Sequence, residues 1–171
     1  MTRYVAFLRG VSPVNAKMPE LKHCFETAGF SDVRTLLSSG NVAFSARASK
    51  EATLERKAEE VMQSVLGRAF STVVRSSEFL QGLIAADPFA GLDLPPEAKC
   101  VVTFLCRPAE SSIALPIERD GARILKMTGS EVFTAYVPHP KGPVFMNLLE
   151  RTFGVDITTR TLETVKKCAR A

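Results

Sequence analysis

The sequence predicts an α+β protein made of two ferredoxin-like β-α-β-β-α-β units in tandem, with antiparallel-rich sheets and helices packed on them. Three observations carry this prediction. Short apolar strands alternate with amphipathic helices, each half contains a hairpin pattern, and a proline-rich acidic connector occupies residues 87–98. We therefore place the first unit, with an added helix, at 1–86 and the second unit, with a C-terminal helix, at 99–171.

In the first half, each element follows from a local pattern. Residues 4–8 are apolar on both faces, as in a central strand. Apolar residues from Met18 to Ala28 recur at helical spacing, and Gly29 is expected to end that helix. Ser38-Ser39-Gly40-Asn41 predicts a hairpin tip, because Gly and Asn tolerate positive φ. The other predicted elements are strands 33–37, 42–45 and 71–75, a helix over 54–65 ended by Gly67, and a helix from Ser76 or Ser77 to Ala86.

The second half repeats this order less regularly. Residues 100–106 predict a buried strand, and 108–114 predict a short helix or turn. Strands 124–127 and 132–137 flank Thr128-Gly129-Ser130 as a second hairpin. A closing strand completes the unit, although the sequence supports it least. The two predicted helices are one from Val144 that is ended by Gly154 and one from about Leu162 to Ala169.

Composition bounds the class of protein. With 46% hydrophobic and 23% charged residues in 171, the chain has the balance of a soluble globular protein. No apolar stretch approaches the roughly 20 residues of a membrane-spanning helix, and no secretion signal is visible. The net charge of +4 is too small to indicate a duplex-binding protein. The four cysteines form no C-x-x-C pair, so we expect buried thiols and a cytoplasmic location.

Four ordered segments carry a resemblance to a known family: 4–21, 30–46, 87–90 and 142–167. They resemble a bacterial family known only as domain of unknown function sixteen ninety-seven. The resemblance implies a fold of two ferredoxin-like units and no established activity. Two departures stand out. Ser12-Pro13-Val14-Asn15 replaces the glycine pair that usually follows the opening Arg-Gly, and Leu162 replaces the usual aromatic of the closing motif.

The sharpest chemical signal is Thr158-Thr159-Arg160-Thr161, directly before the last helix. Hydroxyls, a guanidinium and backbone N–H groups at a helix N-terminus favour an anion. The alternative is that a threonine caps the helix and Arg160 forms a surface or inter-unit ion pair. Arg9 ends a buried strand and enters an irregular loop, where it contacts a ligand or a structural carboxylate. Asn41 offers an amide for binding or for the turn itself.

The best functional interpretation is a cytoplasmic binding module for a small anionic or phosphate-bearing ligand, with Arg9, Asn41, Arg160 and Thr161 as its contacts. An enzyme that uses the same pocket, and an interaction protein that forms homodimers through a sheet, are the alternatives. We predict no metal and no cofactor, because His139 lacks partners at ligand spacing and no nucleotide-binding glycine motif occurs. The scarcity of strand aromatics argues against RNA recognition.

Overall fold

The computed structural model of the protein describes residues 1–109 and 112–171. In these residues the chain forms a mixed α+β structure with two antiparallel sheets and five helices. It divides into two compact units. Unit 1 comprises residues 1–85 together with 166–171, and unit 2 comprises residues 86–165.

Unit 1 contains the elements that the sequence predicts for it, in the predicted order. Its four strands form one sheet with the order β2-β3-β1-β4, in which all neighbours are antiparallel. The elements are β1 (Thr2–Leu8), α1 (Met18–Thr27), β2 (Ser31–Leu36), β3 (Asn41–Ala46), α2 (Glu51–Leu66), β4 (Thr72–Ser76) and α3 (Ser77–Ala85).

An aromatic core lies between this sheet and helices α1 and α2. Strand alternation directs Tyr4 toward that core, where its ring stacks on Phe44 at 5.7 Å between centroids. The rings of Phe25 of α1 and of Phe30 also pack on Phe44, with centroids 5.5 and 4.4 Å from the Phe44 centroid. Helix α1 presents its apolar residues here and ends before Gly29, whose φ of +89° is outside the helical range. The predicted ending of this helix is confirmed.

The hairpin tip of unit 1 differs from the prediction in one respect. The left-handed residues are Leu37, at φ +57°, and Gly40, at φ +84°. Asn41 is not a tip residue: it is the first residue of β3, pairs with Phe7 and is fully buried. Gly40 is required for a second reason, because a Cβ there would lie 2.9 Å from Cβ of Val11.

Unit 2 contains a second antiparallel sheet, with the order β6-β7-β8-β5-β9. Its core is formed by alternate strand residues and by the apolar face of one helix. The closing strand, which the sequence supports least, is present and pairs with β5. The elements from this sheet to the C-terminus are β5 (Lys99–Leu105), β6 (Ile117–Arg119), β7 (Ala122–Thr128), β8 (Glu131–Tyr136), α4 (Val144–Phe153), β9 (Ile157–Thr161) and α5 (Leu162–Ala169).

Strand β6 was not predicted. It pairs with β7 through Arg119 and Ala122, so only Asp120 and Gly121 form the turn. Both have positive φ, +47° and +87°, which is the conformation of a type I′ hairpin. The short helix or turn predicted at 108–114 includes residues 110 and 111, which lie outside the described residues. The described residues of that segment contain no helix.

The four cysteines all lie in the described residues, where none of them forms a disulfide, and they differ in exposure. Cys24 and Cys168 are buried, whereas Cys100 is half-buried and Cys106 is exposed. The prediction of four buried thiols is therefore wrong at Cys106, because β5 ends at Leu105 and the chain leaves the core there. Within the described part of the chain, none of the helices has the length and apolar character needed to cross a membrane.

Candidate functional site

Arg160 and Thr161 lie at the end of β9 and have defined structural contacts. Nη1 of Arg160 donates to the carbonyl oxygen of Thr159 at 2.8 Å. The hydroxyl of Thr161 accepts a hydrogen bond from the backbone N–H of Thr164 at 3.3 Å, so Thr161 caps α5. The neighbouring Thr158 is 2% exposed, and its hydroxyl has no hydrogen-bond partner among the described residues.

Unit 1 repeats this arrangement at the junction of β4 and α3. Nη1 of Arg75 donates to the carbonyl oxygen of Val74 at 2.8 Å, as Arg160 does to its own preceding residue. The hydroxyl of Ser76 accepts a hydrogen bond from the backbone N–H of Phe79, three residues later, at 3.1 Å. Thr161 accepts one from Thr164 in the same way. Because Arg75 is buried and ion-paired with Glu51 at 3.1 Å, this motif has a structural role in unit 1. The repetition favours the structural alternative for Arg160 and Thr161.

Arg9 and Asn41 lie at one end of the first sheet. The backbone N–H of Arg9 donates to the carbonyl oxygen of Ser71, and its side chain is half-buried. Nδ2 of Asn41 donates to the carbonyl oxygen of Leu36 and to Oγ of Ser39, both at 3.0 Å. Both amide protons of Asn41 are therefore used within its own hairpin.

The loop after Arg9 is closed by Asn15. Its Nδ2 donates to the carbonyl oxygen of Gly10 at 2.7 Å, and its Oδ1 accepts the backbone N–H of Ser12 at 2.9 Å. These bonds satisfy loop backbone groups that would otherwise need water or a ligand. Arg9 and Asn41 belong to unit 1, whereas Arg160 and Thr161 belong to β9 of unit 2.

Unit 2 contains a cleft that the sequence reasoning missed. We name it the arginine cleft; its volume is about 300 Å³. One wall is a single face of α4, because residues 144, 147, 148 and 151 follow the helical spacing of three and four. The other wall is the turn between β6 and β7. The lining residues are Arg119, Asp120, Val144, Asn147, Leu148 and Arg151.

The arginine cleft has an excess of positive charge. Arg119 and Arg151 are both exposed, and neither forms an ion pair with a carboxylate among residues 1–109 and 112–171. Asp120 is the acid that lines the cleft. The nearby Arg123 is paired with Glu118 at 3.6 Å and contributes no unpaired cation. Two guanidinium groups and the Asn147 amide together provide donors suited to an oxyanion.

A second cleft adjoins the first and shares Asp120 and Val144 with it. We name it the aromatic cleft; its volume is about 250 Å³. Tyr136 and Phe145 stack along it with centroids 4.4 Å apart and ring planes at 15°. The backbone N–H of Lys141 donates to Nδ1 of His139 at 3.1 Å, so a neutral His139 ring carries its proton on Nε2.

A perturbed carboxyl group lies outside both clefts, on α2. Burial raises the pKa of Glu55, and the charges of Glu51 and Glu59 add to this, while Arg75 and a hydrogen bond from the backbone of Val74 oppose it. Glu59 accepts the backbone N–H of Thr72 at 2.9 Å. Because β4 is an edge strand, these carboxylates satisfy its outer N–H groups, and the raised pKa of Glu55 has a structural cause.

No group of three or more His, Cys, Asp or Glu side chains within 1–109 and 112–171 has the geometry of a metal site. Burial raises the pKa of the Cys24 thiol, with a smaller contribution from Glu20, so this thiol is held in its less reactive neutral form.

Two sequence signals indicate the arginine cleft in retrospect. Asp120-Gly121 is a strong indicator of a two-residue hairpin and places Arg119 beside a turn. Asn147 and Arg151 are four residues apart, which places both on one face of α4. What the sequence does not show is that this face and this turn lie side by side.

The described residues thus form an α+β fold with two antiparallel sheets, and unit 2 carries two adjoining clefts. A family model described as "Protein of unknown function (DUF1697)" matches residues 1–133, and the chain belongs to this family. The match includes the β6–β7 turn but ends before α4. The predicted family membership is therefore confirmed.

A solved structure shows the same fold. It is the conserved bacterial protein SP0830 from Streptococcus pneumoniae, which is 23% identical to this chain with a TM-score of 0.73. The likeness covers 99% of this chain and 97% of that chain. No curated protein sequence is significantly similar to this one.

Proposed function

We propose that this protein binds a small anionic or phosphate-bearing ligand, and that the ligand lies in the arginine cleft. The observation that carries the proposal is that Arg119 and Arg151 line one cleft from two different elements, without an ion-pair partner in the described chain. Guanidinium groups bind phosphate and carboxylate through paired N–H donors. Asn147, one helical turn before Arg151 on α4, adds a neutral N–H donor.

The charge balance supports an anion over a cation or a neutral ligand. Two arginines and one aspartate leave the cleft with a net positive charge. Arg151 lies in the last turn of α4, where it also interacts favourably with the helix dipole. Removal of Arg151 therefore has a small cost in stability that is unrelated to ligand binding, and the test must separate the two effects.

The sequence-predicted contacts, Arg9, Asn41, Arg160 and Thr161, stay a prediction. They differ from the arginine cleft in that the side chains of Asn41, Arg160 and Thr161 form hydrogen bonds within the chain, and the backbone N–H of Arg9 donates to Ser71. The two candidate sites predict different results in the same substitution experiment, so that experiment distinguishes them.

The test measures the rise in melting temperature that millimolar inorganic phosphate produces. A ligand that binds only the folded state stabilises it by RT ln(1 + [L]/Kd). We expect the rise in the wild type and in Arg160→Ala, and a much smaller rise in Arg151→Ala and Arg119→Ala. Arg56→Ala is the matched control, since Arg56 is also an exposed helical arginine.

Comparison with Arg56→Ala corrects for the general stabilisation that excluded salts give to any protein. A rise lost in Arg160→Ala and kept in Arg151→Ala would move the site to the end of β9. Equal responses in all five proteins would leave only the salt effect and reject anion binding at either place.

We further propose that both units are ferredoxin-like. The order β2-β3-β1-β4 supports this for unit 1. For unit 2 the support is the order β7-β8-β5-β9, with β6 added at the edge and no counterpart of α1 in the described residues. We also infer a cytoplasmic location, which is supported by four cysteines that form no disulfide in the described residues, one of them exposed.

A further inference from the structure

We infer that the ligand of the arginine cleft also carries a flat apolar group, and that this group occupies the adjoining aromatic cleft. This inference rests on the proposed function, because it takes the anionic end of the ligand to be held by Arg119 and Arg151. The ligand class is therefore an aryl phosphate or another aromatic anion, with the ring joined closely to the charged group.

The adjacency of the two clefts is the first argument. Asp120 and Val144 line both, so the space lined by the guanidinium groups adjoins the space lined by Tyr136 and Phe145. A single ligand of modest size reaches both parts. The change from cationic to apolar lining along this path matches a molecule with one charged and one apolar end.

The character of the aromatic cleft is the second argument. Its walls combine the stacked pair Tyr136 and Phe145 with Val137, Pro138, Pro143 and Met146. Aromatic and proline side chains favour a flat partner, because ring faces and edges pack with little loss of side-chain entropy. His139 adds one N–H donor at the rim.

The size of the aromatic cleft is the third argument. A dry protein cavity of about 150 Å³ is enough to hold a benzene ring. The aromatic cleft, at about 250 Å³, accommodates one ring with room for a substituent. This volume matches a small molecule, which is the occupant that we propose.

The test compares binding of three probes by titration: inorganic phosphate, methyl phosphate and phenyl phosphate. Methyl phosphate has the same charged group as phenyl phosphate but no ring. We expect phenyl phosphate to bind about tenfold more tightly than methyl phosphate, from burial of one ring. In Met146→Ala we expect this ratio to fall several-fold. Met127→Ala is the matched control, because Met127 also packs on the core of unit 2 but does not line either cleft.

NMR of the wild-type protein with methyl-labelled methionine gives a second readout, which requires no substitution. The Met146 methyl resonance is expected to shift with phenyl phosphate and not with methyl phosphate, whereas the Met127 resonance shifts with neither.

Equal affinity for the two organic phosphates, both lost in Arg151→Ala, would overturn this inference and leave the proposed function intact. No binding of any probe would overturn the proposed function itself, and a preference for phenyl phosphate that Met146→Ala leaves unchanged would place the ring elsewhere.

Discussion

Strand β4 of unit 1 and strand β9 of unit 2 end in the same way: an arginine donates to the carbonyl of the preceding residue, and a hydroxyl residue then caps the next helix. The beginnings of the units differ. Unit 1 has helix α1 between its first strand and its hairpin, whereas the described residues of unit 2 have strand β6 in that interval and no helix.

The difference explains where the clefts lie. In unit 1, α1 packs against α2 and β2 and fills the space beside them with Leu21, Cys24 and Phe25. The elements of unit 2 at the same places in the strand order are α4 and β7. The arginine cleft runs along α4, and the aromatic cleft reaches Ala122 of β7. Unit 2 thus offers binding space on the side that a helix fills in unit 1.

The largest effect is expected from removal of the ring that α1 contributes to unit 1. Phe25 is fully buried and contacts both Phe30 and Phe44. Phe25→Ala leaves a cavity and is expected to reduce the free energy of unfolding by about 3 to 5 kcal/mol. Thermal or urea unfolding measures this. Phe79→Ala, at a residue 42% exposed, is the control and should cost far less. Equal costs for the two variants would show that α1 does not hold the core of unit 1.

The elements of the fold were predictable where a periodic pattern and a turn residue coincide. Residues 4–8 and 132–136 alternate little because both faces of those strands are buried, and the sequence shows this directly. Strand β6 is only three residues long and largely exposed, so no apolar pattern marks it. Its one signal is Asp120-Gly121, which carries the positive φ values of the turn.

The candidate site was less predictable, for a physical reason. Arg160 and Thr161 have the residue types of an anion site, but the same types stabilise a strand end and cap a helix. The repeated geometry at Arg75 and Ser76 favours the second interpretation, and it is visible only in the structure. Arg119 and Arg151 are 32 positions apart in the chain. Their meeting depends on how the β6–β7 turn packs beside α4, which is a tertiary property.

A smaller effect tests the shared junction directly. Ser76→Ala and Thr161→Ala each remove the hydroxyl that accepts a backbone N–H in the first turn of α3 or α5. Each is expected to cost about 1 kcal/mol of unfolding free energy, the usual value of an N-cap. Chemical unfolding measures both, and Thr161→Ser, which keeps the acceptor, should recover most of the loss at α5. A Thr161→Ala variant as stable as the wild type would show that the two junctions are alike in geometry but not in energy.

The smallest effect concerns the pH dependence of stability that Glu55 causes beside edge strand β4 of unit 1. The pKa of Glu55 is raised above its ordinary value of 4.5, mainly by burial and also by Glu51 and Glu59, although Arg75 acts in the opposite direction. A raised pKa means that the folded state binds this proton more tightly than the unfolded state does. The contribution of Glu55 to stability is therefore greatest below the ordinary value, and it falls as the pH rises through the raised pKa.

Glu55→Gln keeps an oxygen that accepts the backbone N–H of Val74 and removes the charge. We expect this variant to gain melting temperature relative to the wild type at neutral pH, and the gain to shrink as the pH falls through the raised pKa and to vanish below 4.5. Glu60→Gln, an exposed carboxylate on the same helix, controls for the general loss of one negative charge. A difference between Glu55→Gln and the wild type that stays constant across this range would mean that Glu55 titrates alike in the folded and unfolded states. The carboxylates of α2 would then accept the outer N–H groups of β4 without any shift in the pKa of Glu55 on folding.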